Sequence, residues 1–390
     1  MSTTSSDVLG RGWLRSDGRF GVRNHVIALS TVALTDRVTA LAAAQADGVL
    51  PITPGFLRGL RGADADLQTA MIKAIVVHPN VGAALVVTHD RASALALEQS
   101  FASAGKPVVV VALMGCKGIQ TALNELTAKL QDLQELASQA PQEQMTFSDL
   151  TIALECGGSD ATSALCANPT IGRFVDRLIA AGGTAIVSET AEFLGGEDVV
   201  RSQSNSPKIA EAILACMANE EAMMKEDGSD YRGVNPTQEN IEAGLSTLTE
   251  KTMGALCKIG SSRFAGALTF GQRPPGNGLF FMDTPFFSPT SMTGMVLGGA
   301  QITLFAMGVF NPSGVPLAPT IKICGNPNTL SDWADGIDVD VSGIISGAHT
   351  YDDGANSIEN FIETTIGGAM TCAEKWQEGQ LIVPTSRSAL

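Results

Sequence analysis

Positive charge is scarce in this sequence. Lysine and arginine total 25 against 40 aspartates and glutamates, giving a formal net charge of −15. A uniform basic face for nucleic acid is excluded, and nothing recruits the chain to anionic membranes. Uninterrupted apolar runs are also short, and none would span a bilayer. Cysteines at CxxC spacing are absent. The seven that occur are scattered and odd in number. That speaks against a disulfide framework or a structural zinc site, and for a reducing, cytoplasmic setting. No charged-then-apolar leader opens the chain, and the Ser/Thr-rich residues 1–10 read as a flexible tail. No Walker loop, GxGxxG after a strand, HExxH or GxSxG is present. Nucleotide, zinc-protease and serine-hydrolase readings lose their usual support.

What is present is a large, apolar, glycine-rich chain. Its 390 residues allow two or three domains, and 44% hydrophobic against 17% charged residues allow a sizeable core. The 41 glycines recur as pairs after apolar runs, which favours tight βα connections. Strands are expected at 26–34, 83–87 and 107–113, with helices at 36–46, 64–76 and 92–104 between them. Pro79 should end the second helix. Later strands are expected at 151–155, 184–188, 267–270, 279–282, 302–306 and 318–323. Helices are expected from Asn168-Pro169 to Ala181, and at 207–225, 239–259 and 357–371. A Gly/Asp/Asn-rich loop fits 226–238. The fold class is α/β: two doubly wound three-layer α/β domains with mostly parallel sheets. The polar stretch 135–148 reads as a linker, dividing an N-terminal α/β domain (11–140) from a C-terminal α/β catalytic domain (141–390).

Residues 151–197 concentrate the chemistry. They read as a βαβ unit whose strands deliver Cys156-Gly-Gly-Ser-Asp160 and Glu189 at their carboxyl ends, where open α/β sheets bind ligands. A thiol in an amide-rich turn should ionise easily and suits metal ligation or nucleophilic attack; the alternative is a small buried core residue. Glu189, Glu192 and Glu197 suit a general base or oxygen ligands, or else helix capping. Asp283 ends a strand, and Asp160 either acts or caps a helix. Lys251 and Lys322 could hold a substrate carboxylate or an enolate. Lys251 could instead pair with a nearby acid. Lys322 lies in an apolar strand, where an ammonium is costly unless paired.

These segments resemble a known family. The carriers are the run from Gly12 to Asn24 (Gly-Trp-Leu-Arg-Ser-Asp-Gly-Arg-Phe-Gly-Val-Arg-Asn), His78-Pro-Asn80, Cys156-Gly-Gly-Ser-Asp160, Ala167-Asn-Pro169, Gly182-Gly-Thr184 and Ser188-Glu-Thr190. Thr249-Glu-Lys251, Phe281-Met-Asp-Thr-Pro285, Thr293-Gly294 and Ala318-Pro-Thr-Ile-Lys322 complete the match. The chain resembles the catalytic part of the altronate/galactarate dehydratase family, which includes the large subunit of sulfolactate sulfo-lyase.

The resemblance implies a lyase that removes a proton alpha to a carboxylate, expels a beta substituent and releases a 2-keto acid. A sugar-acid dehydratase leads; a sulfo-lyase releasing sulfite and a catalytically silent partner subunit are the alternatives. It implies a divalent metal, iron, and a small N-terminal domain that is here a separate subunit. A small carboxylate substrate and a homo-oligomer are expected. Arg23, Lys251 and Lys322 would bind acid groups, with Asn24, Ser159, Asp160, Asn168, Thr293 and Gly294 completing the substrate site. Glu189 or Glu192 would be the base, and Asp283 and Cys156 would hold the metal or orient the leaving group. The metal would rest on Cys156, with His89 and Asp90 as substitute ligands. The family's His-Gly-Cys segment is replaced near Thr53-Pro-Gly, and its Gly-Cys-Glu by Thr88-His89-Asp90. Its Pro-Gly-Tyr-Asp and Thr-Gly-Arg-Gly become Pro285-Phe-Phe-Ser and Met307-Gly-Val-Phe310.

Overall fold

A computed structural model of the chain describes residues 8–225, 236 and 238–386. Most of the expected 226–238 loop, and residues 1–7 of the tail, lie outside the described residues. The chain divides into two compact units. The larger comprises Met1–Gly10 and Thr146–Gly379, the smaller Arg11–Met145 and Gln380–Leu390.

Residues 8–146, which fall in the smaller unit but for Val8–Gly10 and Thr146, carry, in order, β1 (Val8–Leu14), β2 (Phe20–Gly21), β3 (His25–Ser30), α1 (Ala33–Ala43), β4 (Val49–Ile52), α2 (Ala63–Val77), β5 (Val81–Thr88), α3 (Arg91–Phe101), β6 (Val108–Ala112), α4 (Ile119–Ser138) and β7 (Gln142–Thr146). Strands β4-β3-β5-β6 form a parallel sheet in that spatial order. Every residue of β5 is buried, so its apolar side chains do not alternate with polar ones. That is the mark of a parallel strand covered on both faces. Helix α4 buries Leu123, Leu126, Leu130 and Leu133 at helical spacing against α1 and the sheet. Each such leucine contributes roughly 1.5–3 kcal/mol by leaving water.

Two expectations change here. The polar stretch 135–148 is the end of α4 plus β7, not a linker. It reads as polar because β7 is an outer strand of the β2-β1-β7 sheet, with its first three side chains exposed. Strand β4 escaped notice because Pro51 interrupts it. It lies at the edge of its sheet, where a missing N–H is tolerated.

The larger unit carries β8 (Thr151–Cys156), α5 (Asn168–Ala180), β9 (Thr184–Val187), α6 (Glu197–Ser202), α7 (Pro207–Met223), α8 (Gln238–Glu242), α9 (Leu248–Leu256), β10 (Phe264–Leu268), β11 (Gly278–Met282), α10 (Ser288–Leu297), β12 (Ile302–Met307), β13 (Thr320–Cys324), α11 (Pro327–Asp332), β14 (Val339–Asp340), α12 (Tyr351–Ile366) and α13 (Cys372–Lys375). The single helix expected over 239–259 is α8 and α9. Thr247 caps α9 by accepting from the Glu250 N–H, which fixes the break.

The seven strands stand in the order β10-β11-β9-β8-β12-β13-β14, all pairs parallel. After β8 the chain moves to one side through β9, then returns to the other side with β12. The gap between β8 and β12 is therefore a topological switch point, where the loops beyond the strand ends part and leave a crevice. In the smaller unit, β3 and β5 stand in the same relation.

Candidate active site

The switch point of the larger unit opens into a cavity of about 330 Å³. One wall is the turn after β8, Cys156-Gly157-Gly158-Ser159; the facing wall is Val309 to Pro312, just past β12. The two turns are laced together. The Gly157 N–H donates to Ala306, and the Gly158 carbonyl accepts from Gly308 and Val309. Gly158 has φ +67, and a Cβ there would lie 2.1 Å from the Val309 carbonyl oxygen, so only glycine fits. Glu189, Asn240, Lys251, Phe286 and Phe287 complete the lining.

Glu189 is held in a left-handed backbone conformation, φ 63, unusual for a residue with a side chain. Strain of this kind gathers at functional sites and needs the surroundings to enforce it. Here Thr284 accepts from the Glu189 N–H at 2.9 Å, while Thr190 donates to Asp283 at 2.6 Å. Asp283 thus braces the segment rather than lining the cavity. Lys251 is buried on α9, its ammonium 4.6 Å from the Phe286 ring centroid and 3.4 Å from Asn240 Oδ1. Asn240 in turn donates to the Ser159 carbonyl at 2.8 Å.

Behind Glu189 lies a charged cluster that the sequence did not reveal. Lys258 Nζ donates to Glu192 Oε2 at 2.6 Å, with both side chains 1% exposed. Glu155, on β8, accepts from Ser291 at 2.7 Å, and its charge acts on Glu189. Burial raises the Glu155 pKa to about 7; Lys258 opposes the shift and Glu192 adds to it. Burial, then the charges of Glu155 and Glu192, hold Glu189 well above the ordinary carboxylate range, against Lys258 and Lys251. Burial alone would lower the Lys258 pKa, but Glu192, Cys156 and Glu155 outweigh it and keep the ammonium charged. Two carboxyls that act on each other, both raised, titrate as one unit.

Cys156 is buried between Ser159 Oγ and Asn168 Nδ2, each 3.3 Å from its sulfur. The expected easy ionisation is corrected: burial first, then Glu192, push this thiol up. The turn's proximity to helix α5 is outweighed by loss of solvent and by negative neighbours. Of the other expected residues, Asp160 holds its own turn, accepting from Ser163 and from Asn326 at 2.8 Å. Thr293 donates to Pro289 within α10, and Gly294 packs against Phe270. Neither lines the cavity. Lys322 is fully buried, ion-paired to Glu378 and 4.8 Å from the Phe310 ring centroid. Phe310 itself lines the cavity, and Lys322 does not. Its strand position reflects the pairing that burial demands. Glu197 sits at the start of α6, accepting from Gly195.

Arg23, Asn24, His89 and Asp90 belong to the smaller unit. Asn24 links Arg15 to Ala137, and Arg23 donates to Val22. Asp90 caps α3, accepting from the backbone and hydroxyl of Ser93. Among the described residues, no three His, Cys, Asp or Glu side chains converge as metal ligands. Cys156 has a hydroxyl and an amide as sulfur neighbours, and Asp90 is committed to its cap. Among the described residues, the donors expected for iron do not converge within either unit.

The sequence comparisons bear on this geometry. Residues 147–388 match the family model "D-galactarate/Altronate dehydratase, C-terminal". Residues 12–138 match "D-galactarate dehydratase/Altronate hydrolase, second domain". The (2R)-sulfolactate sulfo-lyase subunit beta of Chromohalobacter salexigens is 31% identical over 365 residues, covering 93% of this chain and 94% of that protein. Altronate dehydratase of Escherichia coli is 28% identical over 382 residues, 93% of this chain and 74% of its own. Galactarate dehydratase (L-threo-forming) of E. coli is 29% identical over 245 residues, 63% of this chain and 46% of its own.

Proposed function

The chain belongs to the D-galactarate/altronate dehydratase family and is a lyase, and from that premise we propose a beta-elimination on a small 2-hydroxy acid with sulfite, from a sulfolactate-type substrate, as the leaving group. The observation that carries the chemistry is the Glu189–Glu155 carboxyl pair opening onto a cavity that also holds Lys251. Lys251 holds the substrate carboxylate and stabilises the charge that develops there as the alpha C–H bond breaks. Glu189, in its ionised form, takes the alpha hydrogen. The electron pair forms the C2–C3 double bond, and the C3–S bond breaks with its electrons on sulfite. The resulting enol takes a proton at C3 and loses its hydroxyl proton, giving the 2-keto acid. Lys258 neutralises Glu192, so only one net negative charge faces the substrate when the pair is singly protonated.

Two features support sulfite over hydroxide. The sulfo-lyase relative matches this chain nearly end to end. Hydroxide also needs more help to leave, whereas sulfite is the better leaving group. Loss of water from a sugar acid is the second reading, favoured by the dehydratase family models over both units. The relative's designation as a beta subunit supports a separate small partner subunit here. A homo-oligomer fits the same reading, and seven unpaired cysteines support a cytoplasmic setting.

The test is an assay on protein isolated from its own cells, so that a natural partner is retained. Sulfite and 2-keto acid should appear in equal amounts from sulfolactate, and Glu189→Gln should remove both. A 2-keto acid from altronate or galactarate, without activity on sulfolactate, would install the second reading. Turnover of none of these, or full activity in Glu189→Gln, would sink the assigned chemistry.

A further inference from the structure

The smaller unit has its own switch-point crevice, which the elimination chemistry does not use. An opening of about 460 Å³ lies at the carboxyl ends of β3 and β5, walled by Thr31 and Val32 on one side and Thr88, His89 and Asp90 on the other. Its size suits a small molecule. Two cations line it, Arg58 and Lys73. Two buried polar atoms of its lining residues, His89 Nδ1 and Ser100 Oγ, have no hydrogen-bond partner among the described residues. Such atoms are costly to leave unsatisfied, and ligands commonly meet the need.

The charge balance selects the ligand's sign. Asp90 is the only carboxylate among the lining residues. Its oxygens already accept from the Ser93 N–H at 3.0 Å and the Ser93 hydroxyl at 2.9 Å, and Arg58 acts on it from nearby. The amino end of α3 begins directly after it and adds partial positive charge. A metal ion at His89 and Asp90 would meet two cations and a committed carboxylate; an anion would meet complementary charge. Against a net charge of −15, this grouping of positive groups is locally distinctive.

We propose that the β3/β5 crevice binds a small oxyanion — a carboxylate, sulfonate or phosphate — through Arg58 and Lys73, with hydrogen bonds from Ser100 Oγ and His89 Nδ1–H. Every residue named here belongs to the smaller unit.

Isothermal titration of the full chain with inorganic phosphate at low ionic strength tests it. One saturable site is expected. Its affinity should fall about fivefold in Arg58→Met and in Lys73→Met, the upper end for an exposed ion pair. Both positions are exposed, so the fold should survive, and an unchanged unfolding midpoint verifies that. Lys251→Met should leave phosphate binding intact. Absence of saturable binding overturns the proposal. So does binding indifferent to Arg58 and Lys73, or binding lost in Lys251→Met, which would move the phosphate to the larger unit's cavity.

Discussion

Replacing Glu155 with glutamine separates a coupled carboxyl pair from two independent acids. Burial, countered by Lys258 and reinforced by Glu192, raises Glu155 from 4.5 to about 7 in the folded protein. A raised folded pKa has a definite sign. Its stabilising effect is complete below the unfolded carboxyl pKa and is lost as pH rises through about 7. At 1.36 kcal/mol per pKa unit, ionisation of this site costs roughly 3 kcal/mol of folding free energy. Glutamine keeps the shape, still accepts from Ser291, and is neutral at every pH. The variant should match the wild type in acid, and gain roughly 2–3 kcal/mol on it in mild alkali. Urea unfolding across that range measures the difference directly.

Activity supplies the second readout. The Glu155 charge is, after burial, the foremost influence raising Glu189. Without it, Glu189 should ionise more readily, and the acid limb of kcat/KM should move down by roughly one to two pH units. A stability difference that is the same in acid and alkali, with an unmoved acid limb, would refute the coupled-pair argument. A shift in the limb without the stability signature would mean that Glu155 acts on Glu189 but is not itself held neutral.

Lys258→Met strands Glu192 in the core and should cost roughly 3–5 kcal/mol, read as a lowered unfolding midpoint. The double variant Lys258→Met/Glu192→Leu should recover much of that loss; no recovery would mean the pair is not the source of the cost. Lys322→Met should destabilise by a similar roughly 3–5 kcal/mol through Glu378, with KM nearly unchanged, since Lys322 does not line the cavity. A large rise in KM at retained stability would return Lys322 to substrate binding. Cys156→Ser should leave the metal content of anaerobically purified protein unaltered by elemental analysis, because its sulfur faces Ser159 and Asn168. Loss of near-stoichiometric iron in that variant would restore Cys156 as a ligand.

The parallel sheets were legible because strands covered on both faces cannot afford polar alternation. Ala83 to Val87 and Ile302 to Ala306 announce themselves as apolar runs. Strand β4 was not legible, since Pro51 argues against a strand unless its edge position is known. The same limit governs the site. A charge inside an apolar strand is a sequence signal, and it singled out Lys322 correctly as needing a partner. That partner, Glu378, lies 56 residues away and gives the lysine a structural duty. The identical signal at Glu155, in Thr-Ile-Ala-Leu-Glu, passed as an ordinary strand end, although this is the charge that acts on Glu189. Lys258 carried no signal at all, for its partner Glu192 is 66 residues distant and no periodicity joins them.

What a sequence displays is that strands end in reactive groups; what it withholds is which ends become neighbours. Cys156 and Glu189 were named because each follows a strand. Val309 and Phe310 entered only as a replaced motif and Asn311 not at all, though they face Cys156 across the cavity. Their place depends on β12 pairing with β8 rather than with β11, its predecessor in the chain. That choice is made by long-range pairing, and it creates the switch point. The β3/β5 crevice follows from the same reversal in the other sheet. Each sheet therefore acquires its crevice from strand order, while the residues around it decide the ligand: a buried acid pair with one ammonium at β8/β12, and two cations with unsatisfied donors at β3/β5.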